Sequence, residues 1–507
     1  MTVQIWSADG ETFYGRLTYY SEITTELVLS EAGEFSASAP YGAWRDLMEL
    51  IPSSNHVRLY AADGTELMRG KWLTRDDDPG LPGSMRMSGL DLLAELRVPC
   101  LPPDFYISNY DVVSAITWLL DDSGTGWAIG DTSNAVAGYV SVNLGGKSIL
   151  EAILELAETT GNYVRHDGLT RSLDVFGSAF DLTAYLYGVC PDDEAMPVNA
   201  GRVVPPVSLT MDAGDIVGIV YPQGGSVIDK SGNESKLYPD GTEELPSGFS
   251  FSLLRGQWAI VNDAVSAGLV RIAEFDMIEP LSNRQMTASG SIESTGNGHI
   301  TSESLRRPND GFWTGGIITV GAVGYPITNH SGSTISGAWG TLAVGGGFVV
   351  TQSFEYSASA EADARQSLVD AACGLLRARA AASQQLSIAV EGLVTRVKPG
   401  DTIELAWVAT VETEDIITDE LERFILTEFN GELIVASVTT GVAENTITTL
   451  GLVKSLELLP TQTGVREMRY LAMPAQGRVD QRSIIGGIGS DEPLLTWPGM
   501  TWIDTSE

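Results

Sequence analysis

Lysine, histidine and cysteine are the scarce residues of this 507-residue chain. Its three cysteines, Cys100, Cys190 and Cys373, lie far apart. They are too few and too odd in number for a disulfide framework and have no zinc spacing, so all three read as buried free thiols. The four histidines, His56, His166, His299 and His330, fall in no HExxH or Hx(3-5)H pattern. A zinc or histidine-based hydrolase site is therefore without support. No GxSxG elbow is present either. Positive charge is short as well: 30 basic residues, six of them lysine, face 66 acidic ones, for a net charge of -36. Phosphate-backbone binding needs clustered cations that release counterions, and docking on anionic lipid needs the same. Both are disfavoured. Long apolar runs are missing too. The best candidate, Val112 to Leu120, is about half a membrane span and ends in Asp121 and Asp122. The opening MTVQIWSADGETF has no basic or apolar leader region, so a Sec-type signal peptide is not expected.

What is present describes a packed chain. Hydrophobic residues make up 43% and charged residues 19%, which suits globular cores over disorder. Glycine is abundant at 55, favouring turns, bulges and short strands. The length suits roughly three or four domains.

Three near-motifs reduce to structure. SVNLGGKS ends like a phosphate loop, but Ser141 stands where the first glycine is needed. Ser148 and Glu151 instead form a capping box that opens the helix SILEAILELAETTG. The run Asp76, Asp77, Asp78, Pro79, Gly80 reads as a solvated turn. The segment from Asp229 through Ser231 to Asn233 lacks the sixth-position glycine and terminal glutamate of a calcium loop, and reads as a loop. No catalytic, cofactor-binding or metal site is expected.

The chain divides into five parts. Residues 1–98 form a β-domain with strands at Thr2–Trp6, Glu26–Ser30, His56–Ala61, Glu66–Thr74 and Ser84–Ser88. Turns fall at Asp9-Gly10 and Asp63-Gly64, and helices at Ala43–Ile51 and Leu90–Arg97. Residues 99–199 form a mixed domain with a helix from Asp111 to Leu120, the capped helix 148–160, and a hairpin of Tyr163–His166 and Ser172–Phe176 around Gly168. Residues 200–356 are β-rich, with a polar insertion at 222–256, a helix expected over Asn262–Phe275, and glycine-rich strands over 311–352. Trp313 and Trp339 read as core anchors there. Residues 357–455 open with an alanine-rich helix from Ala358 to Ser383, striped by Ala364, Leu368, Ala371 and Leu375. Alternating Leu386, Ile388 and Val390 follow, then a type II turn at Pro399-Gly400 and strand Thr402–Leu405. Strands Arg423–Thr427 and Leu433–Val438 flank Asn430-Gly431, read as their turn, and Thr446–Lys454 completes the set. Residues 456–507 read as an extended strap. Its Leu494, Leu495, Trp497, Trp502 and Ile503 cannot bury themselves locally and are the candidate partner-docking residues. Docking on the chain's own domains is the alternative. The fold class expected is multi-domain α+β, built of small antiparallel β-barrels with a few packed helices.

Three stretches carry a family resemblance: SGLDLLAELR closing the first domain, GGKSILEAILELAETTGNYVRHDG, and the long helix followed by QLSIAVEGLVTRVKPGDTIEL and ERFILTEFNGELIVASVTTG. Together they resemble the baseplate or tail-tip hub proteins of tailed phages, related to the base of type VI secretion spikes. The insertion at 222–256 and the extension after 455 depart from that pattern. The resemblance implies tail-tube-like barrels and a homotrimer that mimics a sixfold tube with three chains. It implies a hexameric distal tail ring above, a spike or fibre below, a tape measure protein as a further partner, and a place in the virion tail after assembly in the host cytoplasm. DNA would pass the lumen ungripped, and the acidic composition agrees. No cofactor, enzymatic activity or membrane insertion is implied. Two other classes stand beside it. One is a carbohydrate-binding or carbohydrate-cleaving virion protein using some of the 11 Trp and 16 Tyr. The other is a secreted adhesin, which the missing leader disfavours.

Overall fold

A computed structural model describes residues 2–453 except 9, 18–21, 41–54, 62–63, 79–82, 188–199, 213–215, 266–268, 381–382, 392–395, 415–420 and 443–445. Beyond 453 it describes residues 468–470, 488–489 and 503–504. The expected helix at Ala43–Ile51 and Cys190 lie outside the described residues. The protein is α+β and mostly β, with a closed six-stranded barrel, several further sheets and few helices.

The first domain uses β1 (Thr2–Trp6), β2 (Phe13–Leu17), β3 (Glu22–Val28), β4 (Glu34–Pro40), β5 (His56–Tyr60), β6 (Glu66–Asp78) and β7 (Ser84–Asp91). Alternation aims Val3 and Ile5 of β1, Ile23 and Leu27 of β3, and Met85 and Met87 of β7 into one core. All seven strands feed that core, so the sheet rolls around it. Asp76 to Asp78 are the end of β6, registered on β7 from Arg86 to Ser84, not a turn. A 3-10 turn, Leu92–Arg97, follows where a helix was expected.

The middle holds β8 (Tyr106–Asp111), α1 (Val112–Asp122), β9 (Ala128–Ile129), β10 (Tyr139–Asn143), α2 (Ile149–Thr159), β11 (Tyr163–Arg165) and β12 (Ser172–Phe176). Ser148 caps α2: its hydroxyl accepts from Glu151 N at 3.2 Å, and Glu151 Oε2 accepts from Ser148 N at 2.9 Å. That carboxylate occupies the position a phosphate would need, and Lys147 is paired with Glu155. Cys100 is exposed, against expectation, because Pro99 and Cys100 lead out of the 3-10 turn at the surface; Cys373 is buried.

Next come β13 (Leu182–Tyr187), β14 (Ala200–Asp212), β15 (Val217–Gly224), β16 (Ser226–Ile228), β17 (Glu234–Lys236), β18 (Phe249–Leu254), β19 (Gln257–Asn262) and β20 (Leu269–Phe275). Where a helix was expected over Asn262–Phe275, Leu269–Phe275 is thus strand. Val265, Leu269 and Ile272 mimic helical spacing, but Arg271, Ala273 and Phe275 alternate inward along a parallel partner, β15. The 222–256 stretch lies on the helix Ala358–Ala378 through Arg365 to Asp240 at 3.0 Å and Gln366 to Glu244 O at 2.9 Å. Asp229 turns the β16–β17 hairpin, its carboxylate accepting from Ser231 N and Asn233 N.

A seven-stranded sheet contains β21 (Arg284–Ser291), β22 (Ser294–Gly296), β23 (His299–Thr301), β24 (Ile317–Val320), β25 (Val323–Ser331), β26 (Thr334–Gly337) and β27 (Gly347–Phe354). Trp313 and Trp339 are buried in its core. Buried Arg307 joins this sheet to the middle, its guanidinium over Phe105, Phe312 and Trp313. Burial pulls its pKa down to about 10 against the charges of Asp104 and Asp122.

Helix α3 (Ala358–Ala378) ends five residues before the expected Ser383, and Ala364, Leu368, Ala371 and Leu375 are buried as its stripe. Then β28 (Ser383–Glu391), β29 (Thr402–Glu414), β30 (Leu421–Val442) and β31 (Thr446–Val453) complete the barrel, in order β30-β29-β13-β14-β28-β31 with β31 returning to β30. Its pairings are antiparallel except at β13, which is parallel to both neighbours. Asn430-Gly431 is no turn. Both residues lie inside β30, opposite Ala406 and Leu405, because three partner strands keep that strand extended. Of the strap, β32 (Met468–Tyr470) pairs with β20, and β33 (Ile488–Gly489) with β34 (Ile503–Asp504). Among the described residues, no helix is long and apolar enough to cross a membrane.

Candidate functional site: the seam between two sheet domains

The two β-domains are one sheet. Strand β3 pairs with β30 from Ile23↔Val442 to Val28↔Ser437, making a continuous thirteen-stranded order from β2 to β31. The hairpin β11–β12 wedges into that seam and binds both sides.

Toward the first domain, Gly168 takes φ +69 at the hairpin turn, and a Cβ there would stand 3.0 Å from Leu27. Its carbonyl accepts from Arg69 N at 2.7 Å. Its N–H donates to His166 Nδ1 at 3.0 Å, and His166 Nε2 lies 2.7 Å from Asp91 Oδ2. Asp91 is fully buried and accepts from Gly33 N at 2.5 Å and Leu93 N at 2.9 Å. One turn on, Glu95 receives Arg171 through Nε at 2.7 Å and Nη2 at 3.0 Å, with Lys71 at 3.5 Å and His56 at 3.3 Å. Burial raises the Glu95 carboxyl, but the Arg171 bond and the surrounding cations outweigh it and hold it below the usual range. Burial drives His56 down despite Glu95.

Toward the second domain, Arg165 donates through Nη1 to Asp401 Oδ1 at 2.7 Å and Pro399 O at 3.2 Å, and through Nε to Asp174 at 3.0 Å. Its guanidinium lies 3.5 Å from the Phe180 ring centre. The expected type II turn places Asp401: Asp401 N donates to Lys398 O at 3.1 Å, with Gly400 at φ +87. A Cβ on Gly400 would meet Phe176 at 2.6 Å.

The arrangement holds two domains together. His166 Nδ1 accepts from Gly168 N, and among the described residues no three His, Cys, Asp or Glu side chains gather as a metal group. Trp72, Trp127, Trp313 and Trp339 are buried, so none of these four offers a sugar platform. Sequence reading missed the seam residues. Adjacent Arg165 and His166 at the end of strand β11, in a chain with only four histidines, were the available signal. Leu494, Leu495, Trp497 and Trp502 lie outside the described residues, and Ile503 is described only by its backbone pairing with Ile488. The nearer part of the strap, Met468–Tyr470, extends the chain's own sheet at β20.

A seam of this kind defines a multi-domain protein whose two β-domains are joined edge to edge in one sheet. In structure the chain is similar to phage and prophage tail proteins and to type VI secretion proteins. A tail protein from Neisseria meningitidis shares 12% identity over 89% of this chain and 95% of that one, with a TM-score of 0.42. A prophage 43 kDa tail protein from Shewanella oneidensis shares 10% over 89% and 98%, at 0.45. A prophage tail protein from Listeria monocytogenes shares 10% over 90% and 95%, at 0.41. No family model matches the chain, and no curated protein matches its sequence.

Proposed function

We propose that this chain is a structural tail protein, a tail-tip or baseplate hub that joins the tail tube to a distal spike or fibre and lines the DNA exit channel. The observation that carries the reading is the seam: two β-domains held side by side in one sheet, buttressed from both sides by the hairpin β11–β12. A homotrimer would present six such domains, the number a sixfold tube above it requires. The partners are then a hexameric distal tail ring, the tape measure protein and a spike or fibre protein. The net charge of -36 supports a wall that repels phosphate and lets DNA pass. The chain acts without catalysis or cofactor, in the virion tail, assembled in the host cytoplasm. Electron microscopy of the purified protein tests this: a threefold ring with six density lobes around a channel is expected, and a monodisperse monomer at all concentrations would overturn it. Hydrolysis of polysaccharide by the pure protein would overturn the non-catalytic part.

A further inference from the structure

From Gly311 to Phe354 the chain carries no Asp, Glu, Lys or Arg. At the chain's 19% average, a stretch of that length would carry about eight. In the fold this stretch supplies β24, β25, β26 and β27 of the seven-stranded sheet, with β27 paired to β21. One face of that sheet packs on the core through Met286, Ile318, Phe348 and Val350. Register puts the opposite face in solvent. Thr287 lies across from Thr351, Ser289 from Val349, and β24 sets Ile317 beside Thr351 and Thr319 beside Val349. Ile317 is 52% exposed and Val349 45%. Hydroxyls, small residues and branched aliphatics make up this face. Asp104 reaches its rim, where Oδ2 accepts from Thr287 at 3.3 Å.

A charge-free face on so acidic a chain selects its occupant by charge. A basic partner gains most where carboxylates are dense and has no reason to prefer this face. A strongly acidic partner is repelled wherever carboxylates oppose its own at contact distance, since salt screens only beyond about 8 Å. It can approach closely only where there are none. The acidic body at hand is the chain itself. The whole of 311–354 is uncharged, so contact between two copies through this sheet sets no carboxylate of that stretch against another in any orientation. Threonine and serine side chains desolvate cheaply and can bond across such a contact, while Ile317 and Val349 gain by burial. We infer that the outer face of the β21-β27-β24-β25 sheet is a contact surface for a second copy of this chain. The inference rests on the homo-oligomeric hub reading and gives it a place on the molecule.

The test is sedimentation of the full chain at about 0.15 M salt, comparing wild type with Val349→Asp and Ile317→Glu, each made singly. Ser235→Asp, on the exposed β17 strand, is the charge control. The expected result is an oligomer for wild type and control, and at least tenfold weaker association for each face variant, moving mass toward the 54.1 kDa monomer. Association should recover in part at about 1 M salt. Both sites are exposed, so far-UV circular dichroism should be unchanged; if one variant misfolds, the other decides. Face variants that keep the wild-type mass overturn the inference and leave the trimer standing. A wild-type monomer overturns both. A wild-type dimer broken by the face variants supports the inference and ends the trimer reading. Loss of association in the control as well shows a general charge effect and overturns the site.

Discussion

The two sheet domains reach similar ends by different routes. The first takes seven strands from residues 2–91, paired with one another within that stretch except where β3 also takes β30, and stays open at β2 among the described residues. The second closes into a barrel, but only by bringing β13 and β14 against β28 to β31, so that Asp212 pairs with Ser383. Local pairing forms early and cheaply, whereas the barrel must close a loop of some 170 residues before its contacts stabilise it. The hairpin β11–β12 directly precedes β13, the first strand of the barrel, and carries charged contacts to both domains. The second domain should therefore depend on the seam more than the first.

The largest effect should come from Arg165→Ala. Asp401, buried like Arg165 to about nine-tenths, would lose its charge partner, at a cost of about 3–5 kcal/mol. Arg171→Ala on the first-domain side leaves Glu95 with Lys71 and His56 and should cost about 1 kcal/mol. Urea midpoints of the two variants check the contrast, and equal losses would break it. Glycine substitution sharpens the same point. Gly400→Val combines a left-handed backbone with a clash on Phe176 and should cost about 3 kcal/mol. Gly64→Ala, at φ +90 in the first domain but with open space around it, should cost about 1 kcal/mol.

Acid probes the first-domain side. His56 and Glu95 both have folded pKa values below their ordinary 6.5 and 4.5. Each therefore binds a proton less readily folded than unfolded. Their contribution is complete above about pH 6.5, starts to fall below it as His56 of the unfolded chain takes up protons, and falls again below about 4.5 for Glu95. The thermal midpoint should drop in these two windows, and His56→Gln should remove the first drop. A midpoint flat between about pH 7 and about pH 4 would contradict the linkage. A similarly small effect is expected of Ser148→Ala, about 1 kcal/mol for one lost cap in the middle region, read as a shifted urea midpoint with both sheet domains intact.

Much of the local structure was legible because it is encoded locally. The alternation of Leu386, Ile388 and Val390, the Ser148–Glu151 cap and the Pro399-Gly400 turn each need only neighbouring residues to declare themselves. Two misreadings have one cause. Asn430-Gly431 has the composition of a turn and Asn262–Phe275 the spacing of a helix, yet strand pairing with distant partners overrides both. The seam was illegible for the same reason. Asp91, Arg165 and Asp401 belong to three separate elements, and nothing in their own neighbourhoods announces that they meet.

The central claim is that β3 and β30 lock the two domains into one sheet. Amide hydrogen exchange of the peptide covering residues 23–28 in the full chain tests it most directly. The account predicts protection as strong as that of β5 at residues 56–60, in the interior of the first domain, and its selective loss in Arg165→Ala. Rapid exchange at 23–28 while 56–60 and 446–453 stay protected would show two domains that move independently, and would contradict it.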